Sequence, residues 1–201
     1  TGNPKMVLHS HYYAIYHITT AHNWHCVHPD GLHLSLAETG WGKAAWGKLY
    51  GQWFLGGGIF VYDFDKFVPH DLMEIIKKYK LTTFCAPPTI FRFFIKEGME
   101  EESLASLKYV TTAGEALNEE VYNRFKEVTG LDLMEGFGQT ETALLIANLK
   151  GMKPKPGSMG KPSPLLNVKL LDDEGMEVPD GEEGAICVTG LKEAYPPGLF
   201  V

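Results

Sequence analysis

The sequence predicts an α/β fold: layered parallel-sheet subdomains covered by helices, with the start of an antiparallel β subdomain at the C-terminal end. Three observations carry this. From residue 69 to 135, apolar residues at helical spacing alternate with short buried-strand runs, the mark of a parallel sheet wrapped by helices. The alternation begins earlier, over residues 10–62. After Pro162 the pattern changes to brief strands separated by acidic, glycine-containing turns, which reads as an antiparallel meander.

Taken in order, Ser10 to His25 predicts a helix, Leu32 to Ala37 a strand, Lys43 to Leu55 a helix carrying Trp46 and Trp53, and Ile59 to Tyr62 a strand. Leu72, Ile75, Ile76 and Tyr79 recur at helical spacing, and Leu81 to Cys85 then forms a short strand ended by Ala86-Pro87-Pro88. A helix follows over Thr89 to Lys96, then a strand over Lys108 to Thr112. Asn118 is placed to cap a helix whose inner face is Val121, Phe125 and Val128, and Gly130 to end it. Leu131 to Glu135 is the next strand and runs into a glycine-rich segment. Asn167 to Leu171, Met176 to Val178 and Ala185 to Thr189 make the C-terminal meander. The expected division is therefore 1–160 for the α/β portion and 161–201 for the incomplete β-rich one.

Composition narrows the function. With 201 residues, 44% of them hydrophobic, the chain can bury a substantial core. A net charge of -7 argues against a nucleic-acid or anionic-membrane surface, since both need a concentrated basic face. The one lysine cluster, Lys150, Lys153, Lys155 and Lys161, lies among prolines and glycines and reads as a solvated loop. Cys26, Cys85 and Cys187 are too far apart for a metal knuckle, and a reducing compartment, the cytoplasm, is expected. No apolar stretch approaches the ~20 residues of a membrane span, and no basic-then-apolar leader is visible. Seven histidines, His9, His11, His17, His22, His25, His28 and His33, crowd the N-terminal part without metal-site spacing, and read as outer-face residues of a helix.

The chemistry concentrates in Leu131 to Thr142, where an apolar run breaks into Gly136 and Gly138 and then into Gln139, Thr140 and Glu141. The glycines let main chain approach a ligand closely. Gln139 and Thr140 can hydrogen-bond phosphate or sugar oxygens, and Glu141 is a hard carboxylate suited to magnesium. Ala86-Pro87-Pro88, Gly114-Glu115 and Gly136 to Glu141 each follow the carboxyl end of a successive strand, the edge at which open α/β sheets bind ligands. The three loops should converge on one crevice. A plainer reading of Glu141 is a carboxylate in the first turn of a helix, and of Gly114 a turn glycine.

The run Glu-Gly-Phe-Gly-Gln-Thr-Glu at 135–141 closely resembles the Gly-Tyr-Gly-Gln-Thr-Glu signature of the adenylate-forming (AMP-binding) enzymes, the superfamily of acyl-CoA synthetases, luciferases and adenylation domains. Thr1-Gly2-Asn3-Pro4-Lys5 is similar to the tail of that family's phosphate loop, and Thr112-Ala113-Gly114-Glu115-Ala116 to its adenine-facing element. Through Thr39-Gly40-Trp41 and Trp46-Gly47-Lys48 the resemblance is closest to the medium-chain acyl-CoA synthetases.

That resemblance implies attack of a carboxylate on the α-phosphorus of ATP, giving acyl-adenylate and pyrophosphate, then transfer of the acyl group to coenzyme A. It implies roles for residues. Thr140 and Glu141 are catalytic, the first on the α-phosphate and the second holding Mg2+. Thr1, Gly2, Lys5, Gly114, Glu115, Ala116, Glu135, Gly136, Phe137, Gly138, Gln139 and Thr140 bind nucleotide. Trp41 and Gly138 border the acyl pocket, although a core helix bearing Trp46 and Trp53 is the plainer account of the tryptophans. Acetyl-CoA synthetases resemble this pattern but carry tryptophan where Gly138 stands, so a medium-chain or branched acid is expected to fit here, and a bulky residue at 138 to exclude it. Lys43, near this pocket, has no assigned role.

The family pattern continues with a ribose-binding Thr-Gly-Asp segment, a later arginine and a C-terminal lysine domain, none of which is in these 201 residues. The chain thus reads as a piece of the large N-terminal domain, inactive alone, with ATP, coenzyme A and a small carboxylic acid as partners and oligomerisation left open. Two alternatives stand beside this reading: an adenylation domain that loads a carrier protein, and a non-catalytic module that senses AMP.

Overall fold

The computed structural model describes residues 6–37 and 43–190. Helix α1 (Tyr12–Asn23) leads to β1 (Leu32–Ser35), a π-helical segment (Lys43–Tyr50) that continues into α2 (Gly51–Phe54), and β2 (Gly58–Ile59). Then come α3 (Pro69–Tyr79), β3 (Thr83–Ala86), α4 (Pro88–Glu97), α5 (Glu101–Leu104), β4 (Tyr109–Thr112), α6 (Glu119–Thr129), β5 (Leu133–Gln139) and β6 (Ala143–Ala147). Short β7 (Lys161–Pro162) and the pair β8 (Val168–Leu171) and β9 (Ala185–Val188) complete the chain. Seven strands form one sheet in the order β2-β1-β3-β4-β5-β6-β7, parallel from β2 through β5 and antiparallel beyond it. β8 and β9 form a separate antiparallel sheet, so the architecture is the expected one.

Alternation along the parallel strands gives the sheet two unlike faces. Leu34, Phe84, Val110 and Leu133 point to one face and pack beneath α3 (Leu72, Ile76), α4 (Phe91, Phe94) and α6 (Val121, Phe125), forming the main core. The helices over that face start and stop on local signals. Pro69 opens α3 at a position whose N–H would be unpaired anyway, and the Asn118 side chain accepts the Glu120 N–H at the start of α6. Gly130 ends α6 in the left-handed conformation glycine adopts without strain.

The opposite face mixes buried apolar residues such as Cys85 and Met134 with polar ones. His33, Ser35, Thr83 and Thr111 lie there, buried with His17, Thr20 and His25. This departs from the expectation of outer-face histidines: His25 and His33 are each 1% exposed. Their rings are 4.9 Å apart, and each spends one nitrogen on a strand hydroxyl, His25 Nδ1 with Thr111 Oγ1 at 2.9 Å and His33 Nδ1 with Thr83 Oγ1 at 2.8 Å.

Three further differences from the sequence reading concern local structure. The glycine-rich segment is no loop: β5 continues through Gly136 and Gly138 to Gln139, and the chain turns at 140–142 into β6, which pairs back on it. Lys161 and Pro162 join this same sheet through β6, so strands on both sides of residue 160 share hydrogen bonds. Met176 to Val178 makes only a single bridge, Leu171 with Glu177, instead of a strand.

Candidate nucleotide and acid site

β3, β4 and β5 are adjacent and parallel, so the segments that leave their carboxyl ends line one edge of the sheet. After β4, Gly114, Glu115 and Ala116 are exposed, with Gly114 at a φ of 100° that a side chain would resist. The Glu115 carboxylate accepts hydrogen bonds from the Thr89 hydroxyl at 2.6 Å and the Arg92 guanidinium at 3.2 Å, both on α4. At the end of β5, Gly138, Gln139, Thr140 and Glu141 are also exposed.

Thr140 and Glu141 occupy the tight turn between β5 and β6. The Thr142 N–H donates to the Gln139 carbonyl at 3.1 Å, and the Gln139 N–H to the Thr142 hydroxyl at 3.2 Å. A second set of bonds fixes this turn from far away in sequence. His9 Nε2 donates to the Thr140 carbonyl at 2.6 Å and the Tyr13 hydroxyl to the same oxygen at 2.8 Å, with the two rings stacked 3.6 Å apart. Burial, and to a lesser degree the negative charge of Glu141, push the Tyr13 phenol up to about 12, so it stays a hydrogen-bond donor across the physiological range. Nothing in the sequence pattern marked His9 or Tyr13 as part of the site.

Glu141 stands as an exposed carboxylate, a hard oxygen donor of the kind that holds magnesium together with the oxygens of a phosphorylated substrate.

Glu135, Gly136, Phe137 and Gly138 serve the fold as well as the edge. Glu135 is buried, and its carboxylate accepts the Leu117 N–H at 3.1 Å, tying the 114–117 segment to β5. At Gly136 a Cβ would come within 2.7 Å of the Trp24 indole, whose N–H donates to the Met134 carbonyl at 3.0 Å. The Phe137 ring packs into the cluster of Tyr13, Tyr16, Ala143, Leu145 and Leu166 between α1 and the β5–β6 hairpin. Gly138 corrects an expectation: the space its side chain would take is not an open pocket floor. A Cβ there would meet the Ala143 carbonyl oxygen at 1.9 Å. Thr1, Gly2, Lys5 and Trp41 lie outside the described residues.

Glu135 yields a pH prediction. Burial holds its carboxyl above the ordinary glutamate range, partly offset by the Leu117 N–H. The folded protein therefore binds this proton more tightly than the unfolded chain does. Stability from this group is fully present below the usual glutamate pKa and falls as pH rises through the raised one. Glu135→Gln keeps an oxygen acceptor for Leu117 and removes the charge, so it should lose that slope and match or exceed wild-type stability at neutral pH. Denaturant unfolding of both proteins from about pH 4 to pH 8 reads this difference; identical slopes would show that Glu135 does not titrate in the fold.

A family model described as AMP-binding enzyme matches residues 1–192. The chain is 39% identical over 100% of its length to "Acyl-coenzyme A synthetase ACSM3, mitochondrial" of Mus musculus, of which it covers 34%. It is 41% identical over 94% of its length to "Acyl-coenzyme A synthetase ACSM5, mitochondrial" of Homo sapiens, covering 32% of that protein. The chain thus spans about a third of the length of these relatives. Among solved structures, the anthranilate CoA ligase AuaEII in complex with anthranoyl-AMP superposes with a TM-score of 0.83 at 30% identity, over 92% of this chain and 36% of that one. The mitochondrial relatives overturn the cytoplasmic expectation, which rested on three cysteines that are indeed unpaired. Free thiols point to reducing surroundings without saying which compartment supplies them. A family match over nearly the whole chain, and glycine-rich and Gly-Glu elements brought to one strand edge, establish that the chain belongs to the AMP-binding enzyme family.

Proposed function

We propose that this chain is the central part of an AMP-forming acyl-CoA synthetase, an acid–thiol ligase. It activates a medium-chain or branched carboxylic acid with ATP to an acyl-adenylate and passes the acyl group to coenzyme A. The observation that carries this reading is the common carboxyl edge of the paired strands β4 and β5, beyond which Gly114 to Ala116 and Gly138 to Glu141 face solvent. On it, Gly114, Glu115 and Ala116 wall the adenine, helped by the 135–138 main chain. Gln139 and Thr140 take the α-phosphate, and Glu141 holds Mg2+ against the phosphates. Thr1, Gly2 and Lys5 complete the phosphate contacts, and Trp41 borders the acid. Residues 1–160 form the nucleotide- and acyl-binding portion and 161–201 the beginning of the next. The named relatives support the coenzyme A acceptor and a mitochondrial location.

Catalysis of this kind is positioning and charge neutralisation more than covalent help. The His9 and Tyr13 bonds to the Thr140 carbonyl serve the first, and Glu141 with its cation the second. The test is ATP–pyrophosphate exchange by the full-length protein across acids from acetate to decanoate and benzoate, followed by coenzyme A as acceptor. Acid-dependent exchange peaking at medium or branched chains is expected. AMP binding without exchange would leave a sensor in place of an enzyme.

A further inference from the structure

The mixed face of the sheet holds more hydrogen-bonding capacity than it uses. His33 Nε2, Ser35 Oγ and Lys43 Nζ are all buried, and none has a hydrogen-bond partner among the described residues. His33 and Ser35, 1% and 0% exposed, are alternate residues on β1 and share its polar face. Lys43 begins the π-helical segment that packs over β1 and α1. Its charge reaches both His25 and His33, which are already held below the usual histidine range chiefly by burial and so are neutral imidazoles.

Packing does not account for such a layer. A buried ammonium carries three donors and no acceptor, and burying it unpaired is costly unless an acceptor arrives. Apolar residues of similar volume would serve the fold as well or better. An oxygen-bearing group brought from outside would answer all three atoms.

The position fits a substrate's far end. Ser35 is the last residue of β1, so the layer lies under the same carboxyl edge that presents the 114–116 and 138–141 segments. β1 and β5 are three strand spacings apart in the sheet, roughly 14 Å at about 4.8 Å each. An eight-carbon acid lying along the edge spans about 9 Å at ~1.3 Å per carbon–carbon bond, and the side chains at the two ends take up the remainder.

We propose that the acid cavity ends in this layer, and that the acid carries a second oxygen-bearing group, a carboxylate or hydroxyl at its far end, received by Lys43 Nζ with His33 Nε2 and Ser35 Oγ. This rests on the synthetase reading and narrows its substrate class. The ammonium donates to the distal oxygen, while Ser35 and His33 orient it.

The test uses the full-length protein in ATP–pyrophosphate exchange with octanoate, 8-hydroxyoctanoate and octanedioate. Wild type should prefer one or both oxygenated acids over octanoate in kcat/KM by about tenfold or more, the scale of one hydrogen bond to a charged group. Preference for octanedioate identifies a carboxylate as the occupant, and preference for 8-hydroxyoctanoate a hydroxyl. Lys43→Met should collapse that ratio toward or below one. Ser35→Ala, a smaller change, should reduce it by a few-fold and decides the matter if the lysine variant does not fold. Exchange that favours octanoate in wild type, or a ratio unmoved by either folded variant, overturns the distal-group proposal while leaving the synthetase reading intact. Absence of exchange with any acid overturns both.

Discussion

Gly138→Ala in the full-length protein is expected to lower ATP–pyrophosphate exchange at least 100-fold with every acid, propionate and octanoate alike. The added Cβ would lie 1.9 Å from the Ala143 carbonyl oxygen, 2.7 Å from its carbon and 3.1 Å from the Leu144 Cα. All three are backbone atoms, so no side-chain rotation relieves the contact. β6 has little freedom to retreat, because Ala143 already sits at a φ of 55°, where an alanine is strained. The pairing register also shifts between Phe137 and Gly138, leaving this stretch without a regular ladder to absorb a displacement. Overpacking of this kind costs about 1–3 kcal/mol and occasionally more; against the main chain of β6, ~3 kcal/mol is the expected scale. The damage falls on the turn that carries Thr140 and Glu141, hence the uniform loss across acids. Retained activity with an altered propionate-to-octanoate ratio would show instead that a side chain at 138 enters the acid cavity.

Glu141→Ala should act in the opposite way, leaving the fold almost untouched and removing the chemistry. Glu141 is exposed in a turn, and surface substitutions of that sort usually stay within about 0.5 kcal/mol in stability. The adenylation half-reaction should nonetheless fall about 10²- to 10³-fold, the range found when one preorganised electrostatic group is lost, with a raised magnesium requirement. Thioester formation from preformed acyl-adenylate should suffer far less, since the triphosphate has by then departed. Stopped assays of the two half-reactions separate these outcomes, and equal impairment of both would assign Glu141 a structural role.

Much of this fold was legible because its signals are local. Helix α6 runs between Asn118 and Gly130 as its capping residues require, and α3 and α4 fall within a few residues of their apolar periodicity. The β5–β6 hairpin was not legible, because Gly136 and Gly138 read as strand breakers when the partner strand is out of view. In place, the Trp24 indole and the Ala143 carbonyl occupy the room those glycines leave. The mixed face of the sheet escaped notice for a related reason: histidines in a helical stretch read as solvated until strand hydroxyls from Thr83 and Thr111 are brought to them. At the candidate site, the Gly-Glu and glycine-rich elements were visible as motifs. The clamp on the Thr140 carbonyl was not, since its donors lie 131 and 127 residues away in the chain and only the folded structure joins them.

The two ends of the large sheet have a bearing on how this protein behaves in concentrated solution. A sheet that is mostly parallel, and therefore slow to assemble, leaves its outermost strands available to other chains while it forms. Here both margins are only two residues long, Gly58–Ile59 at one side and Lys161–Pro162 at the other. The second pairs a cation with a proline that has no amide hydrogen to offer an incoming strand. Among the described residues, each margin of the large sheet therefore offers an incoming strand only a short outermost partner, and the second offers it one amide fewer.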